Sequence, residues 1–150
     1  MNFKEQLDQQ EIFARVGRIA DQLGMETYVV GGYVRDLILN RPSKDIDFVC
    51  VGSGIQLAHA VAASFDKHVP LNVFKNFGTA NIRLDDWDVE FVGARKESYT
   101  LTSRKPQVEE GTIEDDQRRR DFTINALAIS LNAGDYGKLV DPFGGVADLE

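Results

Sequence analysis

Val29-Val30-Gly31-Gly32-Tyr33-Val34-Arg35-Asp36, followed within a few residues by Lys44-Asp45-Ile46-Asp47-Phe48, decides how this chain is read. Tyr28-Val29-Val30 is a short apolar strand that runs into a Gly-Gly turn. Val34 to Leu39 then reads as a helix, stopped by Asn40 and Pro42. Gly31 and Gly32 let the backbone approach a ligand closely. The helix behind them offers free N–H groups and the positive end of its dipole, which suits a phosphate chain. Arg35, one turn in, can fork onto a phosphate. Asp36 either orients Arg35 or bonds to backbone, and a plain surface ion pair between the two is the competing reading.

Ile46 to Val51 reads as a buried strand. Side chains alternate faces along a strand, so Asp45 and Asp47 point one way while Ile46 and Phe48 point into the core. Two neighbouring carboxylates repel each other unless a cation sits between them. Magnesium takes oxygen ligands, typically a few carboxylates plus substrate phosphates. Two such ions about 4 Å apart can activate an attacking oxygen and stabilise a leaving one. An Asp-x-Asp pair alone also fits a solvated strand end. Its position after an apolar helix and before Phe48-Val49-Cys50-Val51 favours a strand terminus facing a cleft.

Val69 to Lys75, Thr79 to Leu84 and Trp87 to Val92 read as three more strands, with Asp85-Asp86 the turn between the last two. Trp87, Val89 and Phe91 alternate with Asp86, Asp88 and Glu90, so the acids share a face. Glu90 is the candidate third carboxylate and Asp88 its rival. Glu90 is preferred because Val89 and Phe91 flank it, which places it inside the sheet, where a charge needs a partner or a metal.

Around this centre the pattern is simpler. Ile12, Val16, Ile19, Ala20 and Leu23 recur at helical spacing before Gly24, predicting one helix from about Lys4 to Leu23. Gly52-Ser53-Gly54 turns into a helix bearing Ile55, Leu57, Ala58, Val61, Ala62 and Phe65. Lys96 to Thr112 is polar and without periodicity, which predicts a long loop. Ile113 to Arg119 looks helical, and Asp121 is placed to cap a short helix after it. Ala126 to Leu131 suits a strand or a buried helix, and Leu139-Val140 a short strand. Arg118-Arg119-Arg120 in an acidic chain suggest a nearby anion. Arg120 is the candidate nucleotide-phosphate contact and Asn125 a sugar or loop contact, while Arg118 and Arg119 are either solvated or face RNA.

Composition excludes several classes. The 150 residues suit one domain with a core. No apolar run approaches a membrane span, and the N-terminus lacks a secretory layout. Cys50 is the only cysteine, which excludes an intrachain disulfide and a cysteine-built zinc site. These features predict a cytoplasmic protein. A net charge of −7 argues against a domain whose main task is gripping nucleic-acid backbone. His59 and His68 have no nucleophile or metal-ligand partner nearby. Gly52-Ser53-Gly54 lacks the Lys-Ser/Thr of a phosphate loop.

Taken in order, VVGGYVRDLILNRPSKDIDFV, FGTANI, VEFVGARKESY, RRRDFTINALAI and DPFGGVADL resemble the catalytic head of class II CCA-adding enzymes and bacterial poly(A) polymerases, in the polymerase-beta-like nucleotidyltransferase superfamily. The likeness runs from about Tyr28 to Leu149. It implies an α/β (α+β) fold, a mixed sheet of about five strands with helices packed on one face. It implies that residues 1–150 are one nucleotidyltransferase head, with residues 1–24 its N-terminal helix, belonging to a longer protein whose neck, body and tail are absent. The stop at Ala147-Asp148-Leu149-Glu150, inside what reads as a helix start, fits that expectation. The implied roles are metal binding for Asp45, Asp47 and Glu90 around a two-ion magnesium site, and triphosphate contact at Gly31, Gly32 and Arg35. Arg120, Asp121 and Asn125 are implied on the nucleotide side. The implied reaction is attack of a tRNA 3′-hydroxyl on CTP or ATP, with pyrophosphate release and no membrane partner. Poly(A) addition, small-molecule nucleotidylation and a nucleotide-binding module without turnover are the alternatives. In this family the loop at Lys96 to Thr112 matters for the terminal adenosine, and base selection and the tRNA grip lie in the other domains.

Overall fold

The computed structural model describes residues 2–41, 43–84, 87–98, 107–110, 112, 113, 117 and 127–141, with 77, 95–98 and 107–110 described by backbone alone. Helices α1 (Lys4–Leu7) and α2 (Glu11–Leu23) lead into β1 (Thr27–Val30), α3 (Gly32–Ile38), β2 (Asp45–Cys50) and α4 (Gly54–Ala63). Then follow β3 (Leu71–Phe74), a short 3-10 turn, β4 (Thr79–Leu84) and β5 (Trp87–Gly93). The chain continues through β6 (Arg95–Ser98), β7 (Gln107–Glu110), β8 (Ala128–Ser130) and β9 (Leu139–Val140).

Seven strands form one sheet in the order β3-β4-β5-β2-β1-β8-β9, and β6 pairs with β7 as a separate ribbon. Only β2 and β5 run parallel, so the sheet is mixed. The expected number was about five. The two beyond it are β8, which the sequence leaves open between strand and helix, and β9, which forms at Leu139-Val140 as read. Ala126 to Leu131 resolves in favour of a strand at its described positions.

The main core lies between one sheet face and the helices. Ile46, Phe48, Val89, Phe91, Ala80 and Ile82 from the strands meet Phe13, Val16, Val34, Leu57 and Val61 from the helices. Phe48 stacks on Phe91 at 5.3 Å and meets Phe13 edge-on at 6.0 Å. Gly54 is required where α4 starts, because a Cβ there would lie 2.8 Å from the Val92 carbonyl carbon. A smaller cluster of Tyr28, Val30, Val49, Val92, Ala94, Ile113 and Ala128 covers part of the opposite face. Among the described residues, none of that cluster reaches the other end of the face, where β2 and β5 begin.

Two expectations are corrected. The helix predicted from Lys4 to Leu23 is broken, and Gln10 is extended at φ −124, ψ 121. In one unbroken helix, at about 100° per residue, Leu7 and Val16 would face opposite sides. Both are fully buried, and the break is what lets both reach the core. The predicted loop from Lys96 to Thr112 contains most of β6 and β7, whose register sets Arg95 opposite Glu110 and Lys96 opposite Glu109. Among the described residues no helix is long and apolar enough to cross a membrane.

Candidate active site

β2 delivers the carboxylate pair as its alternation requires. Ile46 and Phe48 are 1% and 0% exposed on the helix side, while Asp45 is exposed and Asp47 half-buried on the open side. Parallel pairing with β5 sets Asp45 against Asp88 and Asp47 against Glu90. Four acids therefore share one face at the start of two adjacent strands. Antiparallel β4 adds the next column, with Asn81 partnering Glu90 and Arg83 partnering Asp88.

The register separates the two candidates for third carboxylate. Arg83 holds Asp88 at 2.8 Å. Glu90 instead stands beside Asp47. The preference for Glu90 rested on burial, and that reason is wrong, because Glu90 is exposed. Among the described residues no helix covers this end of the face, and Val89 and Phe91 point to the other side of the sheet. Its claim comes from its row in the sheet.

The Gly-Gly turn closes the other side. Val30 is the β1 partner of Asp47, so the chain leaves β1 at the row of Asp47 and Glu90. Gly31 has φ 74 and ψ −143, and a Cβ there would sit 3.3 Å from Asp47 Oδ2. A Cβ on Gly32 would sit 3.3 Å from the Arg35 guanidinium, which folds back over the turn. Arg35 Nε donates to Asp36 Oδ1 at 3.2 Å, the ion pair of the competing reading, which also holds the guanidinium in place. Burial pushes the Tyr33 hydroxyl above its usual range, fitting a ring packed between Phe13 and Trp87.

Among the described residues no three His, Cys, Asp or Glu groups already converge as a metal cage. Magnesium is typically held by one or two carboxylates plus substrate phosphates, with no all-protein cage. Asp45, Asp47 and Glu90 supply hard oxygen donors on one open face, beside a turn able to receive phosphate. Arg118, Arg119, Arg120, Asp121 and Asn125 lie outside the described residues, so the structure does not place them. Asn81 and Arg83 were missed from sequence. The alternation of Thr79 to Leu84 carried the signal, since Ala80 and Ile82 are core and the residues between must face the acids.

Residues 27–150 match the family described as the poly A polymerase head domain. The A-adding tRNA nucleotidyltransferase of Aquifex aeolicus (strain VF5) is 44% identical over 126 residues, which is 84% of this chain and 15% of that protein. A CCA-adding enzyme in its apo form II superposes with a TM-score of 0.86 at 36% identity, over 99% of this chain and 36% of that one. A tRNA nucleotidyltransferase complexed with a primer tRNA and an incoming ATP analog gives a TM-score of 0.77 at 42% identity, over 89% of this chain and 36% of that one. The chain thus spans about a third or less of the proteins it resembles. With that match over most of its length, the chain belongs to the poly A polymerase head domain family.

Proposed function

We propose that this chain is the catalytic head of a tRNA nucleotidyltransferase, adding CMP or AMP from CTP or ATP to the 3′ end of tRNA. The observation that carries the reading is the Asp47–Glu90 row with Gly31 against Asp47. It sets a phosphate-receiving turn beside oxygen donors on an open face. The CCA-adding and A-adding names of its relatives support the substrate class. Their greater length supports placing base selection and most of the tRNA grip in domains beyond this one.

In the proposed reaction the RNA 3′-hydroxyl oxygen bonds to the α-phosphorus. The bond from that phosphorus to the bridging oxygen breaks, pyrophosphate leaves, and the hydroxyl proton passes to solvent. Gly31, Gly32 and Arg35 hold the triphosphate, and Asp36 aims Arg35. Asp45, Asp47 and Glu90 would hold two magnesium ions. Bound there, the ions supply charge neutralisation and activation of the attacking oxygen. The protein's own contribution is in-line positioning. Arg120, Asp121 and Asn125 complete the nucleotide side in this reading, and a cytoplasmic setting goes with a tRNA substrate.

The test runs this chain and the full-length protein side by side with magnesium, CTP or ATP, and tRNAs ending before C, after C and after CC. Ordered extension by the full-length protein, with little from the isolated head, is expected. Long A-only products would move the assignment to poly(A) addition, which the family description also accommodates. No extension by a folded full-length protein would overturn the reading.

A further inference from the structure

With a net charge of −7, this chain has no surplus of cations to spread over its surface, so the places where they meet aromatic rings matter. One such place lies at the end of the sheet where β2 begins. A cleft of about 280 Å³ opens there between the α3–β2 turn and the start of β5. Tyr33, Leu37, Arg41, Lys44 and Trp87 line most of it, and none of its described lining residues is a carboxylate.

The cations are delivered by a fixed turn. Asn40 takes the left-handed conformation at φ 56. The Arg41 N–H donates to the Asp36 carbonyl at 2.7 Å, and Ser43 Oγ donates to the Asp45 carbonyl at 3.2 Å. Lys44 Nζ lies 5.5 Å from the centre of the Trp87 ring, and the Tyr33 ring lies 6.3 Å from the indole. Arg41 and Lys44 are exposed, and neither has an ion-pair partner among the described residues.

We propose that this cleft is a docking subsite for single-stranded RNA, taking one nucleotide with its base against Trp87 and its phosphates on Arg41 and Lys44. The inference rests on the RNA nucleotidyltransferase reading above. Aromatic faces stack any base, and a flanking positive groove follows the backbone, which together make sequence-tolerant single-strand sites. An acidic peptide would satisfy the cations but would leave the indole unused.

The cleft also lies where an upstream nucleotide would pass. Lys44 immediately precedes Asp45, Trp87 immediately precedes Asp88, and Asp45 and Asp88 are register partners. It therefore opens one residue beyond the carboxylate rows, around the same end of the sheet. An RNA strand whose 3′ end reaches Asp45 and Asp47 and runs back over that end meets it.

Trp87 is the only tryptophan, so its fluorescence reports on the cleft directly. The chain is titrated with a short oligoadenylate at low salt, without nucleotide or metal. Saturable quenching is expected. For two phosphate contacts its affinity falls with salt at a log–log slope of about −1.4. Arg41→Ala with Lys44→Ala, checked for an unchanged melt, weakens it by about tenfold or more, and Lys44→Arg retains it. Absent quenching, or quenching indifferent to the double variant, overturns the subsite even where primer extension by the full-length protein is normal. Tighter quenching by polyglutamate than by RNA overturns it in favour of an acidic protein partner. Stacking at Trp87 with no primer extension would keep the subsite and overturn the activity reading instead.

Discussion

Asp47 and Glu90 are register partners across the parallel pair β2–β5, while Asp88, one row away, is held at 2.8 Å by Arg83. Two acids two residues apart on one strand thus have different partners. The one beside Asp47 is free to share a cation with it. The other already has one.

This difference predicts unequal effects. Asp45→Ala or Asp47→Ala in the full-length protein removes turnover and leaves the thermal melt intact, since neither side chain belongs to the core. Glu90→Gln follows them, losing several kcal/mol of transition-state stabilisation, roughly a thousandfold in rate. Asp88→Asn loses far less. Magnesium-dependent turnover of the four variants checks this, and equal losses at Asp88 and Glu90 would refute the assignment.

Gly31→Ala tests the turn. The φ of 74 with ψ of −143 is a conformation that side-chain-bearing residues rarely adopt, costing about 1–3 kcal/mol. The added methyl would also stand 3.3 Å from Asp47 Oδ2. A lower melting temperature together with weaker nucleotide binding is expected. A variant that loses stability but binds CTP and ATP normally would separate the turn from the site.

How legible the site was depends on which interactions define each part. Asp45 and Asp47 were legible because alternation is local, and Phe48 at 0% exposure bears it out. Glu90 was named for the wrong reason, since it is exposed and its place beside Asp47 comes from strand register, which no single strand encodes. Alternation in β4 could show which face Arg83 takes, but not that it meets Asp88, which happens only when β4 and β5 pair. The break between α1 and α2 was hidden because helical spacing from Ile12 to Leu23 says nothing about which way Leu7 must point. The β6–β7 ribbon has no apolar period in its sequence, and pairing across strands is set by register that neither strand encodes alone.

Asn132 is a structural residue that no motif announced. Its Oδ1 accepts from the Thr27 N–H at 2.8 Å, and its Nδ2 donates to Asp21 Oδ1 at 2.9 Å and the Met25 carbonyl at 2.8 Å. It ties the end of α2, the start of β1 and the chain after β8 into one knot. Asn132→Ala strands the Thr27 N–H beside a fully buried residue. The expected cost is about 1–3 kcal/mol, with roughly 2–4 °C of Tm lost for each. An unchanged melt would show that water replaces the amide.

Tyr136 predicts the alkaline behaviour. Its hydroxyl is buried with no hydrogen-bond partner. Burial first, and then the charge of Asp8, push its pKa from 10.0 up to about 12. The folded chain thus keeps a proton that the unfolded chain gives up, so unfolding becomes easier as pH rises from 10.0 to about 12. Below that window the group contributes no slope. Tyr136→Phe removes this part of the alkaline loss. At neutral pH it leaves stability unchanged or raises it, because no hydrogen bond is given up and a buried, unpaired hydroxyl disappears. Denaturant melts of both proteins across that range decide it. A destabilised Phe variant at neutral pH would mean that the hydroxyl has a partner after all.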